Sequence, residues 1–117
     1  MQPVRVLVNF TLPPEKARIL WTPDAARTFL ERAVETTGLH KITEPQVIEH
    51  DGHIDGHVVI AESHIHVWLF PEGGLGAVDV FSCQPVSDAK IEAVVYECFF
   101  GNPQDGRIDI VTLPSSP

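Results

Sequence analysis

Ser63 follows Glu62, precedes two histidines, His64 and His66, and stands twenty residues before Cys83. A serine in a short link between strands is ordinarily a turn residue. In a strained link its hydroxyl has a second option. It can attack the carbonyl carbon of the preceding residue and exchange the Glu62–Ser63 amide for an ester. Removal of the serine α-proton then expels the ester carboxylate, cuts the chain and leaves a pyruvoyl group at the new N-terminus. That sequence of steps needs strain at the bond, a donor for the oxyanion and a base for the α-proton. Histidine is the natural base near neutral pH. Cys83 by itself reads as a small buried hydrophobe. Cys98, within a helical stripe, takes the same reading.

A different chemistry is open to the histidines. His50, His53, His57, His64 and His66 fall within seventeen residues, among Asp51 and Asp55. His64 and His66, two apart on a strand, point to one face, as metal ligands on sheets often do. The set is spread over a strand, a turn and another strand and matches no ligand spacing such as HExxH, so no metal is expected. "PEGGLG" lacks the lysine and the strand-to-helix context of a phosphate loop and reads as a turn.

The net charge of −8 argues against nucleic acid and anionic membranes as partners. Between Ile42 and Ala89 there is no Lys or Arg, yet there are eight acids: Glu44, Glu49, Asp51, Asp55, Glu62, Glu72, Asp79 and Asp88. This is either a solvated acidic face or a surface that draws in a cation. No apolar run approaches the roughly eighteen residues that span a bilayer. "MQPVRVLVNF" does not read as a signal peptide, and two cysteines make no disulfide framework. The expectation is a cytoplasmic protein with reduced thiols.

Positioning such residues requires a sheet. "VRVLVNF" alternates like a half-buried strand and is broken by Pro13 and Pro14. A helix then opens with Thr22 as cap and Pro23 at its first position, carries the stripe Ala26, Phe29, Leu30, Ala33 and Val34, and closes at Gly38. "PQVIEH", "HVVIA", "HIHVWLF" and "LGAVDVFSC" read as strands, with turns at Asp51–Gly52 and "PEGG" and a tight link at Glu62–Ser63. A second helix is capped by Ser87, with the stripe Ile91, Val94, Val95, Cys98 and Phe99, and ends at Gly101. "GRIDIVTL" is a last strand. The order β-α-β-β-β-β-α-β predicts one domain over residues 1–117: an α+β two-layer sandwich, an antiparallel sheet with two helices on one face. The strands are apolar enough to be covered on both sides, and a second copy covering the other face makes a homodimer the expectation.

"AESH", a downstream "PE" and "GAVDVFSC" closely resemble the core of the bacterial S-adenosylmethionine decarboxylase proenzymes, the strong match running from about Val58 to Cys83. Members typically read ESH, a strand with His-x-Trp, Pro-Glu, then a strand ending in Cys. The resemblance implies a self-processing, pyruvoyl-dependent decarboxylase of polyamine biosynthesis. Glu62–Ser63 is then the cleavage bond, Ser63 the pyruvoyl precursor, Cys83 the acid that protonates the substrate α-carbon, and Glu72 a substrate contact. The pyruvoyl carbonyl forms a Schiff base with the substrate amine and serves as an electron sink.

Four positions depart from the family. Without gaps, the processing histidine is replaced by Trp68. A two-residue shift overlays "HVW", His66 to Trp68, on the family's His-x-Trp and keeps side chains on the same face, so His66 is the expected base. Glu49 stands near the place where the family has its adenine-stacking aromatic, Phe70 replaces the other stacking ring, and Asp55 replaces a serine that assists processing. With Trp68, Phe70, Glu49 and Glu72 as substrate-binding residues, the expected substrate is a small cation: S-adenosylmethionine, arginine or ornithine. The competing expectations are an unprocessed, non-catalytic homologue and a His-rich metal-binding protein.

Overall fold

A computed structural model describes residues 3–61 and 63–114. Six strands form one antiparallel sheet: β1 (Val4–Thr11), β2 (Gln46–His50), β3 (His53–Ile60), β4 (Ser63–Phe70), β5 (Leu75–Ser82) and β6 (Arg107–Leu113), in the order β2-β3-β4-β5-β1-β6. Three helices join them: α1 (Pro14–Leu20), α2 (Pro23–Thr37) and α3 (Asp88–Phe99). The α+β antiparallel expectation holds, with one helix more than predicted. Pro13 and Pro14 break the strand but also start α1. A proline at the first helical position loses no hydrogen bond, because that N–H has no intrahelical partner.

The helix borders follow from local chemistry. Thr22 accepts a hydrogen bond from the Ala25 N–H at 3.0 Å, and Gly38 closes α2 at φ +73°, a conformation without penalty only for glycine. Ser87 caps α3 by accepting from the Lys90 N–H at 3.3 Å. Asp51 and Gly52, both at positive φ, make the tight turn between β2 and β3.

One face of the sheet carries the core. Val6, Val8 and Phe10, Ile54, Val58 and Ile60, Ile65, Val67 and Leu69, and Val78 and Val80 are buried with Phe29, Leu30, Ala33, Ile91, Val94, Val95 and Phe99 of the helices. Gly76 matters here: a Cβ on it would lie 2.2 Å from the Phe10 ring, which stacks on Phe99 at 5.4 Å. Trp21, just past α1, donates its indole N–H to the Phe99 carbonyl at 2.9 Å and ties the first helical segment to the end of α3.

The alternation of β4 decides where chemistry can occur. Ser63, Ile65, Val67 and Leu69 face the helices, whereas His64, His66, Trp68 and Phe70 face the other way. That second face has no helix over it among the described residues, and it carries exposed Ile48, Val59, Leu75, Val111 and Leu113.

Candidate active site

Two groups of predicted residues separate. Ser63 opens β4 on the core face, 9% exposed, and its Oγ accepts a hydrogen bond from the Cys83 N–H at 3.2 Å. Cys83 comes directly after β5, at a bend set by Ser82. The Ser82 hydroxyl, fully buried, donates to the Gln84 carbonyl at 2.8 Å and accepts from the Gln84 N–H at 3.0 Å. On the other side of the β3–β4 link, the Ala61 N–H donates to the His40 carbonyl at 3.0 Å. The link is therefore held from both flanks. A depression of about 390 Å³, lined by Thr37, Gly38, Leu39, His40, Ile60, Ala61, Gln84 and Pro85, lies beside it. Glu62, the other half of the predicted cleavage bond, lies outside the described residues.

The second group occupies the open face. His66 Nε2 is in close contact with Asp55 Oδ1, across β3 and β4. Its ring stacks on Trp68, with centroids 3.9 Å apart and planes 7° from parallel, and His57 stands 5.6 Å away. Asp79 lies opposite His66 in β5. Its Oδ1 is 3.3 Å from Arg5 Nε yet is buried without a well-directed hydrogen bond, so the contact is an ion pair only. His64 stacks on Phe81 at 5.8 Å. Further along, Ile48, His50, His53, Ile54, Asp55, Trp68 and Phe70 line a depression of about 370 Å³.

Ser63 and Cys83 are brought together, while His66, Trp68 and Phe70 are not brought to them. At roughly 3.3 Å per strand residue, the His66 Cα lies about 10 Å and the Phe70 Cα about 23 Å from that of Ser63. Their side chains also leave the opposite face. Glu72 lies in the turn after β4, largely exposed and 3.7 Å from Arg18 Nη1. Glu49 pairs with Ile54 in the β2–β3 register and so shares the core-side parity, at an exposed edge. Its neighbours Ile48 and His50 reach the aromatic depression instead. The odd spacing between Ser63 and His66 carried this signal in the sequence: odd separations on a strand mean opposite faces.

Burial pushes the Cys98 thiol up to about 11, with the Glu97 carboxylate adding to the effect. A thiol held protonated in this way is inert. Among the described residues no three His, Cys, Asp or Glu side chains are placed to hold a metal ion, and no helix is long and apolar enough to cross a membrane.

The family model for S-adenosylmethionine decarboxylase matches residues 7–104. An S-adenosylmethionine decarboxylase proenzyme of Archaeoglobus fulgidus is 30% identical over 77 residues, 66% of this chain and 67% of that protein. The proenzyme of Shouchella clausii is 42% identical over 40 residues, 34% of this chain and 31% of that protein. That of Aquifex aeolicus is 40% identical over 63 residues, 54% and 47% of the two chains. The matched stretch thus spans about a third to a half of those last two relatives. The crystal structure of the adenosylmethionine decarboxylase from Aquifex aeolicus superposes with a TM-score of 0.73 at 26% identity, over 94% of this chain and 87% of that one.

Proposed function

The chain belongs to the S-adenosylmethionine decarboxylase family, and from that premise we propose that it is a self-processing, pyruvoyl-dependent decarboxylase built as a single domain over residues 1–117. The observation that carries this reading is the pairing of Ser63 with Cys83 at a link fixed on both sides. Ser63 Oγ attacks the Glu62 carbonyl carbon, the C–N bond breaks, and an ester replaces the amide with the residue-63 amine set free. A base takes the α-proton of residue 63, a Cα–Cβ double bond forms, and the Cβ–O bond breaks with Glu62 leaving as a carboxylate. The resulting enamine becomes an imine, and water releases ammonia. The residues present fit this origin of the prosthetic group: the serine is intact, and its hydroxyl accepts a hydrogen bond from the backbone N–H of Cys83 itself.

When formed, the pyruvoyl group supplies a carbonyl electron sink for decarboxylation of an amine-bearing substrate. Cys83 delivers the proton to the substrate α-carbon. The substrate is a small cation of the S-adenosylmethionine, arginine or ornithine type. The segment free of Lys and Arg between Ile42 and Ala89 supports a cation, as do Asp55, Trp68 and Phe70 around one depression.

The proposal keeps His66 as the base for the α-proton and includes a homodimer in which the open faces of two sheets meet, burying the exposed apolar residues of that face. The cytoplasm is the proposed compartment. The placement of Trp68 where the family has its processing histidine favours a second reading, an uncleaved homologue without activity. Intact mass of the purified protein under denaturing conditions decides between them. Two fragments, 1–62 and 63–117, the second blocked at its N-terminus and one ammonia lighter than a serine-initiated fragment, support the enzyme. A single unbroken chain supports the homologue. Carbon dioxide release from the three substrates, each supplied alone, then identifies the substrate.

A further inference from the structure

We propose that Asp55 and Trp68 are positioning residues that fix His66 as an Nδ1 base. This inference rests on the reading of His66 as the base of self-cleavage and adds which of its nitrogens works and what holds it. A neutral imidazole has one N–H donor and one lone-pair acceptor. A carboxylate accepts only, so the close contact of Asp55 Oδ1 with His66 Nε2 places the hydrogen on Nε2. The lone pair is left on Nδ1, the atom able to take a proton.

The ring is fixed in two further ways. Asp55 projects from β3 and His66 from β4, on strands registered from Ile54↔Leu69 to Ile60↔Ser63, so the carboxylate is held by the sheet and not by a loop. Trp68, two residues on, covers one face of the imidazole at 3.9 Å and 7°, which blocks rotation about the Cβ–Cγ bond. His57, at 5.6 Å with planes inclined by 38°, Asp79 opposite in the register, and His64 two residues back on the same face are further titratable neighbours. Among the contacts described, Asp55 alone touches a ring nitrogen of His66.

The first test needs no cleavage. In the full-length Ser63→Ala chain, long-range proton–nitrogen NMR should show His66 with a hydrogen-bearing Nε2 and an unprotonated Nδ1. Adding Asp55→Ala should convert this to a mixture of tautomers. An Nδ1–H tautomer, or a spectrum indifferent to Asp55, overturns the proposal, and the remaining resonances report that the variant is folded. The second test reads cleavage in otherwise unaltered chains. His66→Ala should slow it about 10²–10⁴-fold, with partial recovery in imidazole. Asp55→Ala should slow it about 10–100-fold, the loss typical for a residue that orients another. Trp68→Phe should retain most of the rate that Trp68→Ala loses.

The two substitutions combined decide the route of the effect. In the imidazole-rescued His66→Ala chain, adding Asp55→Ala should cause no further loss. A full additional loss means Asp55 acts apart from His66 and sinks the proposal while leaving the base assignment standing. Cleavage of His66→Ala at the normal rate removes the base assignment itself, and the catalytic half of the proposal with it. The tautomer measurement is unaffected by that result.

Discussion

Replacing Ser63 by alanine tests self-cleavage only if the variant still folds, and the structure sets the cost. The hydroxyl makes one described hydrogen bond, from the Cys83 N–H at 3.2 Å, in a part-buried setting. Losing a neutral bond of this kind costs about 1 kcal/mol net, rising toward about 3 kcal/mol if the N–H is left without a partner. No cavity of consequence is added, because only one oxygen is removed. A single domain has roughly 5–15 kcal/mol of stability, so Ser63→Ala should unfold cooperatively and remain native at 25 °C. It should also run as one chain of 12.9 kDa on a denaturing gel, while the unaltered protein runs as two fragments. Intact mass and a circular-dichroism melt are measured on the same sample. Fragments 1–62 and 63–117 from the alanine variant would show that Ser63 is not the nucleophile. An uncut variant with no cooperative melt would refute the hydrogen-bond accounting and make the absence of cleavage uninformative.

Cys83→Ala should leave cleavage in place and lower decarboxylation about 10²–10⁴-fold, seen as two fragments on the gel with little carbon dioxide released. Gly76→Ala places a Cβ 2.2 Å from the Phe10 ring, which is wedged against Trp21 and Phe99. Urea unfolding should record a loss of about 3 kcal/mol. Trp21→Phe removes the donor to the Phe99 carbonyl inside the core and should cost about 1–3 kcal/mol by the same assay. Cys98, with its thiol pushed up to about 11, should be alkylated at pH 8 roughly 100-fold more slowly than an unperturbed thiol in mass-resolved labelling.

The elements were legible where one local rule acts alone. Thr22 with Pro23, the i, i+3, i+4 stripes of α2 and α3, and Asp51–Gly52 each specify their own conformation, and each is found. α1 was missed because proline carries two meanings. It ends a strand and begins a helix, and only Ala17 is buried in the seven residues that follow, too little for a periodic signal. The end of α3 differs by less: Phe100, extended, takes the cap position that Gly101 was expected to define.

The candidate site was harder because its members obey different rules. Ser63 and Cys83 meet through the register of β4 with β5, a long-range pairing that no local pattern encodes. The contact of Asp55 with His66 depends likewise on β3 meeting β4 in one register, and a slip of one residue would send them to opposite faces. Parity within β4, by contrast, was available from spacing alone. It shows that Ser63 and His66 cannot share a face of one sheet. The topology also bears on cleavage. With a cut after residue 62, the strands of the first fragment are β2, β3 and β1, and those of the second are β4, β5 and β6. In the order β2-β3-β4-β5-β1-β6 the fragments alternate, with β1 clasped between β5 and β6 from Arg5 to Thr11. Neither fragment can leave without dissolving the sheet. A bond between β3 and β4 is thus one the fold can lose while every strand keeps its neighbours, and the new N-terminus stays beside Cys83.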